Sequence, residues 1–116
     1  MINNISVVII TKNASSTIGA TLSSLKEFKE VIIYDSGSID NTLDIINSYK
    51  NTFLYSGDFF GFGDTKNHAI SLSSNDWIFS LDADESISDE LIKSLNDLHL
   101  EPKLAGQILR KNFFLD

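Results

Sequence analysis

Two carboxylates, Asp82 and Asp84, stand one residue apart at the end of the apolar run Trp77–Leu81. In an open α/β sheet, ligands bind just beyond the carboxyl ends of the strands. Two aspartates placed there repel each other unless a cation lies between them or a proton is shared. A divalent metal carrying a phosphate ligand is the usual resolution. A calcium loop beginning at Asp82 would need Gly at its sixth position and Glu at its twelfth. Those positions hold Ile87 and Lys93, which removes that reading. Taken alone, the pair is equally compatible with a solvated acidic turn.

Three more groups fall at points where an apolar run gives way to polar residues. Thr11-Lys12-Asn13 follows the run Ile5 to Ile10. Polar groups at such a strand-to-helix junction can meet a ligand, helped by the free N–H groups of the helix start. Asp35-Ser36-Gly37-Ser38, with Asp40, follows Val31 to Tyr34. An acid at a second strand end commonly receives ribose hydroxyls or a base N–H. Capping of the next helix accounts equally well for Ser38 and Asp40, but less readily for Asp35. Gly61-Phe62-Gly63-Asp64-Thr65-Lys66-Asn67 is neither a dinucleotide fingerprint nor a Walker loop. Lys66 could neutralise a phosphate, and by itself it reads first as a solvated helix residue. Phe59, Phe60 and Phe62 read most simply as a packed lid or core edge, and stay exposed in the alternative that a further half of the protein covers them. His68 and His99 fit no catalytic triad, and no serine elbow is present.

The elements that must position these groups alternate between strand and helix. Ile5 to Ile10 and Val31 to Tyr34 are β-branched, apolar runs of the kind buried in parallel sheets. Between them Ile18, Leu22 and Leu25 recur at helical spacing, as do Leu43, Ile46 and Tyr49 further on. Thr52 to Tyr55 is a short third strand, 56–63 a loop, Thr65 to Leu72 a short helix, and Trp77 to Leu81 the fourth strand. Ser88 is placed to cap a helix with Asp89 and Glu90 in its first turn and a stripe of Leu91, Leu95 and Leu98. Pro102 closes that segment, and Gly106 to Leu109 reads as a last strand. Alternating elements imply parallel pairing and right-handed crossovers, so the fold class is α/β, a Rossmann-like parallel sheet with flanking helices.

Composition sets the outer bounds. The 116 residues fit one domain with a core of its own, and 42% are hydrophobic. There is no cysteine, which excludes disulfides, thiolate zinc sites and a thiol nucleophile. A net charge of −7 argues against wholesale binding to nucleic acid or anionic lipid, though not against a nucleotide held by a few donors and a metal. No apolar run reaches membrane-spanning length, and Met1-Ile2-Asn3-Asn4 lacks the flank of a signal peptide, so the expected location is cytoplasmic.

In order and rough spacing, the four groups resemble family 2 glycosyltransferases of the GT-A fold. The matching stretches are Ser6 to Asn13, Val31 to Asp40, Gly63 to Ala69 and Trp77 to Glu85. The similarity is greatest to the lipopolysaccharide core glucosyltransferase-like branch, including Arg110-Lys111-Asn112-Phe113. The resemblance implies the nucleotide-binding half of that fold and roles for particular residues. Thr11, Asn13, Asp35, Ser36, Gly37, Lys66 and Asp82 would bind the nucleotide. Within that set, Thr11 would lie near the base and ribose, and Asp35 would accept a hydrogen bond from the base, usually uracil. Lys66, where the family often has Arg, would contact base or diphosphate. Asp84, with Asp82, would coordinate Mn²⁺ or Mg²⁺ bridging the diphosphate.

The implied reaction is inverting, metal-dependent transfer from a UDP-sugar to a glycan or lipopolysaccharide-type acceptor. That acceptor would bring the protein to the inner face of the inner membrane by peripheral association. One departure is that Lys12-Asn13-Ala14 offers no glutamate where many members have one. The family's general base and acceptor pocket lie beyond the carboxylate pair. The apolar ending Asn112 to Asp116 carries no stop signal, so 1–116 reads as a single nucleotide-sugar-binding domain truncated before the acceptor half, with self-association as one way to cover the end. Two rivals stay open at this point. One is a non-catalytic nucleotide- or metal-binding module. The other is a haloacid-dehalogenase-type phosphotransferase, matched locally by Asp82-Ala83-Asp84-Glu85-Ser86 but with its motif expected on the first strand.

Overall fold

The computed structural model describes residues 2–97 and 107–110. Its elements run β1 (Ile2–Thr11), α1 (Ile18–Ser23), β2 (Phe28–Asp35), α2 (Thr42–Asn47), β3 (Thr52–Ser56), α3 (Phe62–Ser71), β4 (Trp77–Ser80), α4 (Asp89–Asn96) and β5 (Gln107–Arg110). All four strand pairings are parallel, and the sheet order is β3-β2-β1-β4-β5. The chain winds outward from β1 through β2 to β3, then returns through α3 to β4 on the other side of β1. The order reverses between β1 and β4, and in a doubly wound sheet that crevice is where ligands bind.

Alternation along buried strands sends odd and even residues to opposite faces. Val7, Ile9, Val31, Ile33 and Phe79 join Ile18, Leu22, Ile46, Leu91 and Leu95 in the larger core, under α1, α2 and α4. Val8, Ile32, Tyr34 and Ile78 meet Ala69 of α3 on the second face. The second face is thinly covered. Phe53 and Tyr55 of β3, with Phe59, Phe60 and Phe62, are exposed, Phe62 by 81%. The packed lid expected of those three phenylalanines is therefore not formed within the described residues; one ten-residue helix is too small to cover a five-strand face. Phe59 and Phe62 instead stack edge to face at 5.2 Å.

Most elements lie where periodicity puts them. Ser88 caps α4 by accepting from the Leu91 N–H at 3.1 Å. Three starts differ by three residues, and the other boundaries expected for the strands and α3 by one at most. β1 and β2 start earlier than their apolar runs, with Phe28 buried at the head of β2. Helix α3 starts at Phe62 rather than Thr65. Gly61, at φ 92°, makes the turn that a side chain would resist, and the Thr65 hydroxyl accepts from the Phe60 N–H at 2.8 Å. Those two contacts carry Gly63 into the first turn despite its low helix propensity. Leu98, His99, Pro102, Gly106 and the ending 111–116 lie outside the described residues. Among the described residues, no helix is long and apolar enough to cross a membrane.

Candidate functional site

The carboxyl ends of the strands lie along one edge. Thr11 of β1 pairs with Asp35 of β2, which pairs in turn with Ser56 of β3. On the other side of the switch point β4 pairs up to Ser80 against Val8, and the Leu81 N–H continues the ladder to the Val8 carbonyl at 3.1 Å. That delivers Asp82 to the same edge.

The loop after β4 is fixed at both ends by core residues, Leu81 and Ile87. Between them the Glu85 N–H donates to the Asp82 carbonyl at 3.1 Å, closing a tight turn. The Glu85 carboxylate folds back to accept from the Asp82 N–H at 3.0 Å. Asp82 and Asp84 are exposed and Glu85 is half-buried, and each offers an oxygen such that the three lie within 4.8 Å of one another. Three carboxylate oxygens are a hard donor set, suited to Mg²⁺, Mn²⁺ or Ca²⁺ and poorly suited to soft metals. The residues thus fit a divalent cation. Glu85 enters the cluster beside the expected pair; it was legible only as an acid nearby.

Lys66, read from sequence first as a solvated residue, is half-buried, and its ammonium donates to Ser80 Oγ at 2.7 Å. This places a cation on α3 two residues before Asp82. Thr11 is 3% exposed, and its hydroxyl oxygen is buried without a hydrogen-bond partner. Such groups are rare, because a buried polar atom without a partner is costly.

Asp35 does not cap α2, which begins only at Thr42; it organises the turn directly after its own strand. Its buried carboxylate accepts from the N–H groups of Gly37 and Ser38 at 3.0 and 2.9 Å and from the Ser38 hydroxyl at 2.5 Å. An aspartate can organise the turn that follows it in this way, and Gly37 at φ 116° completes that turn. Ser36 supports it from the other side, its N–H reaching the Thr11 carbonyl at 3.0 Å. Asn13 is also structural: at φ 52° it accepts from Ile39 N–H at 2.8 Å, while its own N–H donates to Ser38 Oγ at 2.8 Å. Asp40 accepts from the Thr42 hydroxyl and N–H at 2.5 and 3.0 Å and from Ser15 N–H at 3.3 Å. These bonds, led by the Thr42 hydroxyl, hold the Asp40 carboxyl down at about 2. The loops after β1 and β2 are thus sewn into one rigid unit.

A cavity of about 280 Å³ lies at the opposite end of the sheet, lined by Asn3, Lys29, Glu30, Phe53, Ser74 and Asn75. Burial opposes ionisation of Glu30, but hydrogen bonds from the Ser6 hydroxyl and from Ser74 outweigh it and lower its pKa. All of these contacts are internal clamps, remote from the strand ends that carry the acids.

A doubly wound parallel sheet with an acidic oxygen cluster at its switch point defines an α/β protein with the acids where such sheets take their ligands. The family 2 glycosyl transferase sequence model matches residues 6–113, and the chain belongs to that family. It is 32% identical over 99 residues to the lipopolysaccharide core biosynthesis glycosyltransferase LpsC of Rhizobium meliloti, covering 81% of this chain and 36% of that one. It is 39% identical over 88 residues to a glycosyltransferase of Rickettsia conorii, covering 75% of this chain and 31% of the relative. Among solved structures, TarS 1–349 of S. aureus in complex with UDP-GlcNAc superposes with a TM-score of 0.72 at 28% identity, over 80% of this chain and 30% of that one. The sheet is thus the Rossmann-like part of a GT-A fold. The chain spans about a third of the length of these relatives. Asp82 follows the fourth strand rather than the first, which is not the order of a haloacid-dehalogenase-type phosphotransferase.

Proposed function

We propose that this chain forms the donor-binding part of a metal-dependent, inverting glycosyltransferase using a UDP-sugar and a glycan or lipopolysaccharide-type acceptor. The observation that carries this reading is the cluster of Asp82, Asp84 and Glu85 at the switch point of a family 2 sheet. The UDP-GlcNAc bound by TarS supports the nucleotide, and the name of LpsC supports the acceptor class. An acceptor of that kind would bring the protein to the inner face of the inner membrane by peripheral contact.

In this proposal the Thr11 hydroxyl gains its missing partner from the nucleoside, beside Asp35. Asp35, Ser36, Gly37 and Asn13 shape the wall against which the base rests, because their own bonds already fix the loop. Lys66 faces the diphosphate, and Asp84 with Asp82 holds Mn²⁺ or Mg²⁺. When bound, that ion offsets the charge that grows on the leaving diphosphate. The acceptor hydroxyl oxygen bonds to the anomeric carbon as the bond to the diphosphate oxygen breaks, inverting that carbon, and the hydroxyl proton passes to a general base other than the residues assigned to the donor. Lys66 contributes by keeping a positive charge where the leaving group gains negative charge.

Calorimetric titration of UDP and other nucleotides, with and without Mn²⁺, tests the reading. Binding should require metal and should be weakened strongly by Asp84→Ala. Equal binding without metal, or none of any nucleotide, overturns it.

A further inference from the structure

Helix α1 carries three hydroxyls on one side, Thr17 just before it, Thr21 within it and Ser24 at its end, at spacings of four and three residues. That spacing aligns them along one face. All three reach the acidic loop. The hydroxyls of Thr17 and Thr21 both donate to the carbonyl of Ala83, each at 3.0 Å. Ser24 Oγ accepts from the Ile87 N–H at 3.1 Å and donates to the Thr21 carbonyl at 2.7 Å. Thr21 is fully buried. A polar residue inside an apolar helix face is worth its desolvation only if its bond is made, and here that bond goes to the residue between the two aspartates.

The peptide unit is planar, so fixing a carbonyl fixes the N–H and Cα that follow it. The Ala83 carbonyl belongs to the unit that carries the backbone of Asp84. Two donors on that oxygen therefore set the direction in which Asp84 leaves the chain. The need for such a tether is electrostatic. Three carboxylates within 4.8 Å repel one another to the extent that positive charge does not offset them. The more firmly the backbone between them is held, the less a cation has to rearrange it on binding. Uncharged hydroxyls behind the loop hold it without competing for the ion.

We propose that Thr17 and Thr21 are positioning residues that preorganise the Asp82–Asp84 loop for its divalent cation. This rests on the donor-site reading above. The Thr17 hydroxyl also lies 3.4 Å from the Ala14 carbonyl, and Ala14 N–H donates to Thr42 Oγ1 at 2.8 Å. The Ala14 peptide thus lies between the tether and the Thr42–Asp40 bonds, but the 3.4 Å contact is the longer of the two made by the Thr17 hydroxyl, so the tether acts mainly on the acidic loop.

The test compares Thr17→Val/Thr21→Val with Thr17→Ser/Thr21→Ser, reading Mn²⁺–UDP affinity by calorimetry and hydrogen exchange of residues 82–87 without metal. The valine pair keeps the shape and removes both donors. It is expected to weaken Mn²⁺–UDP binding by roughly tenfold, the scale seen when groups behind metal ligands are removed. It should also speed exchange in 82–87 while leaving 35–40 unchanged, and the serine pair should restore both. Should the double valine chain not fold, Thr17→Val alone, at a half-buried site, carries the same test with a smaller effect. Valine variants with wild-type affinity and exchange overturn the inference while leaving the donor site standing, as does serine failing as badly as valine. A wild-type chain that binds no metal nucleotide removes the donor-site reading and this inference with it.

Discussion

The Lys66 ammonium is anchored on Ser80 Oγ at 2.7 Å, which joins the middle of α3 to the last residue of β4. The two faces of the sheet therefore meet at the acidic loop: α3 reaches it through Lys66 and Ser80, and α1 reaches it through Thr17, Thr21 and Ala83. A cation held by a neutral hydroxyl keeps its charge available, whereas one paired to Asp82 or Asp84 would lower the acids' appetite for metal.

That arrangement predicts separate effects for the two partners. Lys66→Met should weaken UDP binding in the presence of Mn²⁺ by about 1.5 to 3 kcal/mol, the range for a hydrogen bond involving a charged group. Ser80→Ala should cost less, because Lys66 loses only its anchor. Calorimetry decides it, and Ser80→Ala weakening UDP more than Lys66→Met would contradict the assignment.

Asp40 gives a prediction in pH. Its carboxyl sits at about 2 in the fold, against an ordinary 3.8. A depressed carboxylate contributes stability that is fully present above the unfolded value and fades as pH falls through the folded one. The contribution of Asp40 should therefore be intact at pH 5 and disappear between about pH 4 and 2. Asp40→Asn should flatten that part of the acid unfolding curve. Carboxyl titration by NMR should place Asp40 well below 3.8, and a midpoint near that ordinary value would show that the Thr42 and Ser15 bonds are not held in solution.

Much of this was legible in the residues. β-branched runs mark β1 and β2, and Ser88-Asp89-Glu90 marks the start of α4, because local sterics and capping decide those features. The acidic pair was visible because few local structures call for two aspartates at a strand end. What stayed hidden depends on distance along the chain. Thr21 and Ala83 are 62 residues apart, and nothing in either neighbourhood announces the bond. Asp35 was legible as an acid at a strand end, but its turn bonds were not, because they depend on Gly37 adopting a positive φ. The fate of the phenylalanines near α3 depends on what covers a sheet face, which periodicity within one segment does not specify.

Gly57 predicts a clash rather than a loss of flexibility. A Cβ at this position would fall 2.3 Å from the Tyr34 hydroxyl and 3.1 Å from Cζ. That hydroxyl donates to the Asp58 carbonyl at 2.7 Å, and the Tyr34 ring stacks edge to face on His68 at 5.3 Å, so it is not free to swing away. Gly57→Ala should destabilise the fold by about 1 to 3 kcal/mol, as overpacking does. Adding Tyr34→Phe removes the nearest atom and should recover part of the loss. Denaturant unfolding of the four-member cycle measures this, and strictly additive effects would show that the two residues do not collide.

Thr11 separates stability from binding in one substitution. Its hydroxyl is buried with no partner, so folding strips its water and gives nothing back. Thr11→Val keeps the β-branched shape that suits a strand and removes the orphaned oxygen. The variant should be as stable as the wild type or more stable, by about 1 kcal/mol. If the oxygen is kept for the nucleoside, the same variant should bind UDP with Mn²⁺ more weakly, by a similar amount. A stabilised variant with unchanged affinity would remove Thr11 from the proposed site. A destabilised one would mean that the hydroxyl has a partner in solution, such as a buried water. Only the opposed pair, firmer fold and weaker binding, is what a residue retained for a ligand should give.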